Sequence, residues 1–368
     1  MHQLEKLRVI ISGGGTGGHV FPAIAIADAL KSKVCHAQIL FVGAKGKIEM
    51  EKVPKAGYHI LGLNISGFQR KITYKNLLVI FRLICSMIRA RNIVKRFKPD
   101  VAIGVGGYAS GPILYVAAKR RIPTVIQEQN SYPGITNKLL ARKAEKICVA
   151  YDGMDKYFPE SKIYFTGNPV RNDLIDVSGK SDEAFEFFGL NKKKKVLLVL
   201  GGSLGAKTIN QSVKASLELF LSNDIQVIWQ TGKLFYQEAF DFTKNLEKTG
   251  VIVVPFIDRM DLAYGACDMV VSRAGAISVS EICVAQKPAI FIPSPNVAED
   301  HQTKNAKALV NHNGAIMIKD MEAVKNLGQI VLDTIFDEDK KHRLKENIAR
   351  FSIKDSADRI ASVVMSLI

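Results

Sequence analysis

Short runs of branched apolar residues alternate with longer amphipathic stretches along the whole chain. In the first half the apolar runs lie at 8–12, 38–42, 100–105, 123–127 and 146–150. Amphipathic stretches separate them at 20–31, 74–97, 110–120 and 134–143. The second half repeats the pattern, with apolar runs near 195–200, 225–230, 251–254, 268–272 and 289–292. Short continuous apolar runs are typical of buried parallel strands, so the chain is predicted to form an α/β fold with two doubly wound units.

The beginning of the second predicted unit is similar to the beginning of the first. Residues 9–18 read VIISGGGTGG and residues 197–206 read LLVLGGSLGA. Each segment has a branched strand, a Gly-Gly turn, a hydroxyl residue and a small residue where a helix begins. The 368 residues also suit two domains of ordinary size. We expect the domain boundary near GNPVR at 167–171, and a final helix at about 354–366 that could pack on either domain.

Charge is distributed unevenly along the chain. The formal net charge is +16, from 51 Lys and Arg against 35 Asp and Glu. Residues 1–170 hold 26 basic and 10 acidic side chains, whereas residues 171–368 hold 25 of each. A basic first half indicates a partner with phosphates, such as a nucleic acid or an anionic membrane surface. A generally basic proteome would instead predict an even spread.

The sequence disfavours both a membrane-spanning protein and a secreted one. No apolar run reaches the roughly 18 residues of a membrane span, and the N-terminal segment lacks the apolar core of a secretory signal. The five cysteines are widely spaced and never occur as CxxC. We therefore expect a cytoplasmic chain with reduced thiols, without a disulfide framework or a zinc site.

Three glycine-rich segments follow predicted strands, at 13–18, 104–111 and 201–208. Glycine lets the backbone turn sharply and present bare N–H groups to a phosphate at a helix N-terminus. The first segment fits GxGxxG, but the next strand ends without the acid that a nicotinamide cofactor needs, so an oxidoreductase is disfavoured. The third departs from the P-loop pattern at Ala206, and we expect Ser203 and the Gly201–Gly205 backbone to cradle a diphosphate. The two loops of the first half are predicted to hold one large phosphorylated acceptor.

Polar side chains follow these loops and strands. His19 lies at a helix start directly after the first loop, where the helix dipole favours a neutral imidazole that can act as a base. Glu128 and Asn130 follow a strand at the same predicted sheet edge, and a capping or loop-ordering role is equally open for them. Glu281 ends the segment SRAGAISVSE and can accept two sugar hydroxyls.

The segment HQTKNA places three polar side chains on one helical face, those of His301, Gln302 and Asn305. Amide side chains in such an arrangement suit sugar hydroxyls. A metal role for His301 is not expected, because no second ligand accompanies it at metal-binding spacing. The acidic triplet at 337–339 is interpreted as part of a solvated face.

The stretch at 75–96 is both basic and apolar. Lys75, Arg82, Arg89 and Arg96 recur every seven residues, and apolar residues occupy nearly every other direction. An exposed apolar face bordered by Lys and Arg is typical of docking on an anionic membrane, whereas a helix buried between neighbours remains an equal alternative. RNA binding is less well supported, because stacking aromatic residues and a known RNA-binding module are missing.

Taken together, the motifs of this chain closely resemble those of the MurG family, the peptidoglycan N-acetylglucosaminyltransferases that convert lipid I to lipid II. The resemblance rests on GGGTGGH (13–19), GVGGYASGP (104–112), QEQN (127–130), TGNPVR (166–171), GGSLGA (201–206), FID (256–258), SRAGAISVSE (272–281) and HQTKNA (301–306). These motifs span about 300 residues in family order, and their joint occurrence is specific.

The resemblance implies a GT-B fold, with two Rossmann-like domains facing a cleft. It implies an N-terminal, membrane-associated acceptor domain of residues 1–167 plus about 350–368, and a UDP-sugar domain of residues 168–349. The implied partners are UDP-N-acetylglucosamine, lipid I and an anionic inner-leaflet membrane surface, with neither nucleic acid nor any cofactor or metal. The implied location is peripheral, on the cytoplasmic face of the bacterial cell membrane.

The resemblance also implies roles for particular residues. Ile257 would meet uracil through its backbone, and Ser203 and Arg171 would hold the diphosphate. The nucleotide sugar would be lined by Ala276, Ile277, Ser278, Val279, Ser280, Glu281 and Gln302. The first domain would close the site with Thr16, Gly17, Gly18 and Asn130. Family members often carry Gln where this chain has Leu204, so one hydrogen bond expected there is missing.

The implied reaction is an inverting displacement in which the muramoyl 4-hydroxyl attacks the anomeric carbon and UDP departs. Such a reaction needs a base for the hydroxyl proton and stabilisation for the leaving diphosphate. His19 is the hypothesised base, with Glu128 as the alternative. Another UDP-sugar transferase, a UDP-sugar epimerase of similar architecture and a nucleic-acid-binding module remain the competing interpretations.

Overall fold

The computed structural model describes residues 7–66, 75–202, 204–244, 246 and 250–368. The chain divides into two compact units, which we call unit 1 (Met1–Arg171 with Asp355–Ile368) and unit 2 (Asn172–Lys354). Unit 2 is therefore an insertion in the chain of unit 1. The boundary expected after residue 167 falls four residues before this division.

Unit 1 is built on a seven-stranded parallel sheet. Its strands are β1 Arg8–Ser12, β2 Gln38–Ala44, β3 His59–Leu63, β4 Val101–Gly104, β5 Thr124–Glu128, β6 Lys146–Val149 and β7 Ile163–Phe165. Their order in the sheet is β3-β2-β1-β4-β5-β6-β7. The helices are α1 Gly17–Lys33, α2 Glu49–Lys55, α3 Lys75–Phe97, α4 Ser110–Lys119, α5 Ile135–Ala141 and, after unit 2, α14 Ser356–Met365.

Unit 2 repeats this architecture with six parallel strands. They are β8 Lys195–Leu200, β9 Ile225–Gln230, β10 Val251–Val254, β11 Met269–Ser272, β12 Ala289–Phe291 and β13 Ile316–Met317, in the order β10-β9-β8-β11-β12-β13. The helices are α6 Ser181–Phe188, α7 Lys207–Ser222, α8 Tyr236–Thr243, α9 Met260–Ala266, α10 Ala276–Ala285, α11 His301–Val310, α12 Ala323–Ile335 and α13 Glu338–Ala349. The predicted α/β fold with two Rossmann-like sheets is confirmed.

Each sheet is covered by helices on both faces, which is why its strands are apolar throughout. Along β1, Val9 and Ile11 pack into one hydrophobic core and Ile10 into the core on the opposite face, as the twofold alternation of a strand requires. The core containing Val9 also holds α1 and α14, and the other core holds α3, α4 and α5. The final helix thus contributes to unit 1, through Ile360, Ala361 and Val364.

No helix among the described residues combines the length and the apolarity that crossing a membrane demands.

Candidate active-site clusters in the two units

In unit 1 the strand order reverses between β1 and β4, so the loops that follow these strands lie side by side at the carboxyl edge of the sheet. The two loops pack backbone against backbone. A Cβ atom at Gly13 would lie 2.8 Å from the carbonyl oxygen of Gly106, and one at Gly107 would overlap the carbonyl oxygen of Gly14. Glycine is therefore required at these positions by close approach of the two loops.

His19 lies in the first turn of α1, half-buried between these loops. Its Nδ1 atom is 3.1 Å from the carbonyl oxygen of Gly14 and 3.2 Å from the hydroxyl of Thr16. A carbonyl oxygen only accepts hydrogen bonds, so the bond to Gly14 requires the proton on Nδ1 and leaves the lone pair on Nε2. Nε2 faces the second loop, where a Cβ atom at Gly106 would lie 2.8 Å from it.

Glu49, at the start of α2, fills the space behind the first loop. Its side chain is buried, Oε2 accepts a hydrogen bond from the backbone N–H of Gly15 at 2.8 Å, and Oε1 accepts one from Ala44 at 2.9 Å. The N–H of Gly15 is therefore already bound to an anionic group of the protein itself. This one donor is therefore engaged within the protein, and the expectation that the two loops hold a phosphorylated acceptor stays a prediction for their other backbone groups.

Glu128 is also buried and fully engaged. Oε1 accepts hydrogen bonds from the backbone and side-chain nitrogens of Asn130 at 3.0 and 3.2 Å. Oε2 accepts from the backbone N–H of Gly134 at 3.0 Å and from the Asn137 side chain at 2.9 Å. Four donors on one carboxylate hold the segment between β5 and α5, so the geometry favours the loop-ordering role of Glu128 over the role of base.

Buried amides join the neighbouring segments of the same edge. Gln127 donates to the side chain of Asn168 at 3.0 Å, and Asn168 donates to the carbonyl of Gln129 at 2.9 Å. Gln129 donates to the carbonyl of Val105 at 2.7 Å and to the side chain of Gln127. This network ties β5 to the second glycine loop and to the end of unit 1. Arg171, the last residue before unit 2, is half-buried.

The remaining predicted residues of unit 1 lie close to His19 along the chain. Thr16 is exposed and precedes α1, whereas Gly17 and Gly18 are half-buried in its first turn. The fold therefore brings Thr16, Gly17, Gly18 and His19 together at one helix N-terminus.

In unit 2 the glycine loop after β8 packs against the loop after β9. Gly205 has a φ of +88°, and a Cβ atom there would lie 2.5 Å from the carbonyl oxygen of Thr231. Gly232 has a φ of +76° and faces the backbone of Gly205 equally closely. Ser203 lies outside the described residues. Leu204 is 72% exposed, so most of its side chain lies in solvent.

A network that the sequence did not indicate supports the start of α7. Arg273 donates to the carbonyl oxygen of Ile292 at 2.9 Å and pairs with Asp320, whose other oxygen accepts from the hydroxyl of Thr208 at 2.8 Å. The loops after β8, β11 and β12 are thereby connected. These residues are up to 112 positions apart in the chain, so no local motif could reveal the contact.

The N-terminus of α10 carries most of the predicted nucleotide-sugar residues. Ala276, Ile277 and Ser278 form its first turn, and Glu281 is half-buried one turn later. The Val279 side chain is buried in the core of unit 2, so its backbone is the part left to line a nucleotide sugar. The Ser280 hydroxyl donates to the carbonyl of Ala276 at 3.0 Å within the helix.

Gln302, Asn305 and Ile257, which were predicted to bind the donor, already have hydrogen-bond partners within unit 2. The Gln302 side chain accepts from the backbone N–H of Ser294 at 2.9 Å. Asn305 is buried and donates to the carbonyl of Ala274 at 3.2 Å, so its side chain is not available to the sugar hydroxyls for which helical spacing suggested it. Ile257 is buried, and its N–H donates to Gln230 at 3.0 Å, which leaves its carbonyl as the backbone group for a base.

Both halves of the chain match family models. Residues 9–149 match the glycosyltransferase family 28 N-terminal domain, and residues 196–360 match the C-terminal domain of the same family. The chain belongs to glycosyltransferase family 28. The predicted family is thereby confirmed, and the protein is a glycosyltransferase.

Relatives within family 28 are similar over their whole length. The chain is 53% identical to a protein of Parabacteroides distasonis, covering 99% of both chains, and 54% identical to one of Bacteroides fragilis, covering 99% of this chain and 97% of that one. A Flavobacterium psychrophilum protein is 52% identical, again over 99% of both. All three are named UDP-N-acetylglucosamine–N-acetylmuramyl-(pentapeptide) pyrophosphoryl-undecaprenol N-acetylglucosamine transferase.

A solved MurG structure agrees with the family 28 assignment, and a second solved structure shares the fold. Acinetobacter baumannii MurG has a TM-score of 0.77 and 26% identity, covering 98% of this chain and 99% of that one. A UDP-N-acetylglucosamine 2-epimerase homologue from Listeria monocytogenes has a TM-score of 0.71 but only 11% identity, over 98% of this chain and 96% of the other. The latter similarity shows a shared fold alone.

Among the described residues of both units, no group of three or more His, Cys, Asp or Glu side chains could hold a metal ion. Two of the acids at 337–339 have structural contacts: Asp337 caps α13, and Glu338 pairs with Lys195 and Lys341.

Proposed function

We propose that the protein transfers N-acetylglucosamine from UDP-N-acetylglucosamine to the muramoyl 4-hydroxyl of lipid I, giving lipid II for peptidoglycan synthesis. Lipid I is the pyrophosphoryl-undecaprenol-linked N-acetylmuramyl-pentapeptide in the names of the relatives. The observation that carries the proposal is identity above 50% over essentially the whole chain to transferases with this activity in their names. The epimerase alternative rests only on fold similarity at 11% identity.

The proposed donor site is on unit 2, around the N-terminus of α10 and the glycine loop after β8. The carbonyl of Ile257 would accept from the uracil N3–H, and Glu281 and Gln302 would bind sugar hydroxyls. Ser203 and the loop backbone would hold the diphosphate, and a role there for Arg171, the residue that precedes unit 2, rests on the family resemblance alone. Ala276, Ile277 and Ser278 present the N–H groups of a helix start, whose dipole stabilises negative charge.

The proposed base is His19. Its Nε2 lone pair takes the proton of the muramoyl 4-hydroxyl while that oxygen bonds to the anomeric carbon. The bond from the anomeric carbon to the β-phosphate oxygen breaks on the opposite face, and UDP leaves with the electron pair. The configuration at that carbon is therefore inverted. Backbone N–H groups and Arg171 stabilise the charge that develops on the diphosphate.

A membrane-facing surface on unit 1 is the third part of the proposal. Phe81, Ile84 and Ile88 lie at i, i+3 and i+7 on α3 and are 54–64% exposed. α4 packs against both α3 and α5, and on α5 Ile135 and Leu139 are 68% and 76% exposed. Isolated surface residues would need no explanation, but apolar rows on two helices of one layer favour contact with a lipid surface.

Basic residues border the exposed row of α3. Arg82 and Arg89 are exposed next to it, and Arg89 and Arg96 line an open groove of about 630 Å³ between α3 and the edge of the sheet. Ile88 and Leu61 give the same groove apolar walls. This combination supports peripheral docking on an anionic leaflet, on the cytoplasmic side where the nucleotide sugar is available. Lys75 is the first of the four basic residues that recur every seven positions, and its side chain is not among those that the structure describes.

The reaction is tested by following labelled N-acetylglucosamine from its UDP form to a lipid I analogue in the presence of EDTA. Transfer is expected, and H19A should lower kcat by about 10²–10⁴-fold, the range for losing a general base. H36A is the matched control, because His36 is an exposed histidine just after α1. Epimer formation from the sugar nucleotide alone, or full turnover by H19A, would contradict the proposal.

Docking is tested by sedimentation with vesicles containing anionic lipid. Replacing Arg82 and Arg89 with Glu should weaken binding strongly, since each basic residue near such a surface contributes about 1 kcal/mol. The matched control makes the same charge change on α13 of unit 2, at the exposed residues Arg343 and Lys345. Equal loss in both variants would indicate a general charge effect and not a docking surface.

A further inference from the structure

The buried carboxylate of Glu49 and the imidazole of His19 contact opposite ends of one peptide group, the one that joins Gly14 to Gly15. The N–H of this group, on Gly15, donates to Glu49 Oε2 at 2.8 Å. Its carbonyl, on Gly14, accepts from His19 Nδ1 at 3.1 Å. In a trans peptide the N–H and C=O bonds point in opposite directions. The carboxylate, the peptide and the imidazole therefore lie in series.

The loop is shaped around this carboxylate. A Cβ atom at Gly14 would overlap the Glu49 carboxylate, and one at Gly43 would lie 2.5 Å from its Cγ atom. Glu49 is 1% exposed and its other oxygen accepts from Ala44, so both oxygens are fixed by backbone donors. A buried carboxylate is costly to desolvate, and here two hydrogen bonds from neutral donors are what stabilise it.

We propose that Glu49 is a positioning residue that acts on His19 through the Gly14–Gly15 peptide. The inference rests on the proposed function, in which His19 Nε2 is the base. A negative charge at the N–H end polarises the peptide and strengthens its carbonyl as an acceptor, because hydrogen bonds in a chain reinforce one another. The Nδ1–H tautomer is thereby held, Nε2 keeps its lone pair, and the imidazolium formed on proton transfer is stabilised.

The arrangement has the logic of a carboxylate that orients a histidine base, with one peptide group placed between the two side chains. Glu49 does not touch the reacting atoms. It should consequently affect kcat and not the binding of the donor, whose proposed residues are mostly on unit 2.

The kinetic test compares E49Q with E51Q, a matched change on the same helix at a residue whose side chain is 61% exposed. E49Q should lower kcat about 10- to 100-fold, the effect of losing one charge-assisted hydrogen bond in the transition state, with the KM for UDP-N-acetylglucosamine within about twofold. E51Q should match the wild type. E49D keeps the charge and should be faster than E49Q; an E49D no faster than E49Q would overturn the proposal.

A double-mutant cycle distinguishes an effect of Glu49 on His19 through the Gly14–Gly15 peptide from a purely structural role of Glu49. If Glu49 acts through His19, E49Q should cause no further loss in an H19A background. The same fold-loss in both backgrounds would overturn the proposal, because Glu49 would then act independently of the imidazole.

The tautomer of His19 gives a readout that needs no substrate. Nitrogen-15 chemical shifts of the imidazole, assigned with H19A, should show Nδ1–H in the wild type and in E51Q, and a smaller Nδ1–H population in E49Q. An unchanged tautomer in folded E49Q would overturn the proposal. Should E49Q not fold, the same comparison is made with E49A, which also removes the carboxylate. Absence of transfer by the wild type would refute the proposed function. The nitrogen-15 shifts would still decide whether Glu49 controls the tautomer of His19.

Discussion

Replacing Gly106 with Ala should move the imidazole of His19. Gly106 has a φ of +91°, and a Cβ atom there would lie 2.8 Å from both Cδ2 and Nε2 of His19. Non-bonded carbon atoms prefer separations of about 3.5–4.0 Å, so the ring or the loop must shift by roughly 0.7 Å or more. A displacement near 1 Å at a reacting group costs about 10²-fold in rate. We expect G106A to lower kcat by about 10- to 100-fold.

The same substitution strains the backbone. A side chain at a left-handed φ costs about 1–2 kcal/mol, so G106A should also lower the free energy of unfolding by about that amount. G111A is the control: Gly111 lies in α4, and a Cβ atom there would make an ordinary 3.5 Å contact with the Thr136 methyl group. G111A should keep its kcat and gain stability. Steady-state transfer assays and urea titrations measure both effects, and a wild-type kcat in folded G106A would refute the placement of His19.

Three further outcomes follow from buried groups. Burial raises the pKa of the Cys148 thiol to about 12, so a thiol reagent at pH 8 should modify only the exposed Cys35 and Cys85 in the native protein, and five thiols after denaturation. E128Q replaces one of the two acceptor oxygens with an NH2 group, so one backbone and one side-chain donor lose their acceptor. The free energy of unfolding should fall by about 1–3 kcal/mol in a urea titration. Hydrogen bonds from the Arg259 guanidinium and from Lys180 hold the pKa of Asp261 well below its usual range. The ionised Asp261 therefore stabilises the folded protein above the unfolded-state pKa near 4, and this stabilisation is lost as the pH falls below that value. D261N should remove that part of the acid sensitivity, which thermal melts between pH 2 and 7 would detect; an unchanged acid profile would contradict it.

The elements that the sequence predicted best are those buried on both faces. Apolar runs such as RVIIS and KVLLVL leave little alternative to a central parallel strand, and they became β1 and β8. β3 was missed because it is an edge strand: His59 and Leu61 are exposed and Gly62 interrupts the apolar pattern. β13 has only two residues, which is too short for any periodicity.

The candidate site could be predicted where its residues are close in the chain. The glycine loops and His19 follow from spacing alone, since a strand, a tight turn and a helix start are all local. Glu49 carries no comparable local signal, because it belongs to none of the glycine loops or sequence motifs. Its contact with Gly15, 34 residues earlier, depends on how α2 packs behind the loop. Asn305 shows the converse error, because helical spacing shows which side chains share a face but not that the face is buried.

The position of α14 has a consequence for how the protein folds during synthesis. This helix covers apolar residues of α1 in the core of unit 1, yet 183 residues of unit 2 are translated between Arg171 and Asp355. Because translation proceeds at about 5–20 residues per second, the surface under α14 stays uncovered for roughly 10–40 s. Unit 2, which is continuous in the chain, can complete its own core in that time. On a translating ribosome the order of completion is therefore reversed relative to the order of synthesis, because unit 1 begins first and is completed last.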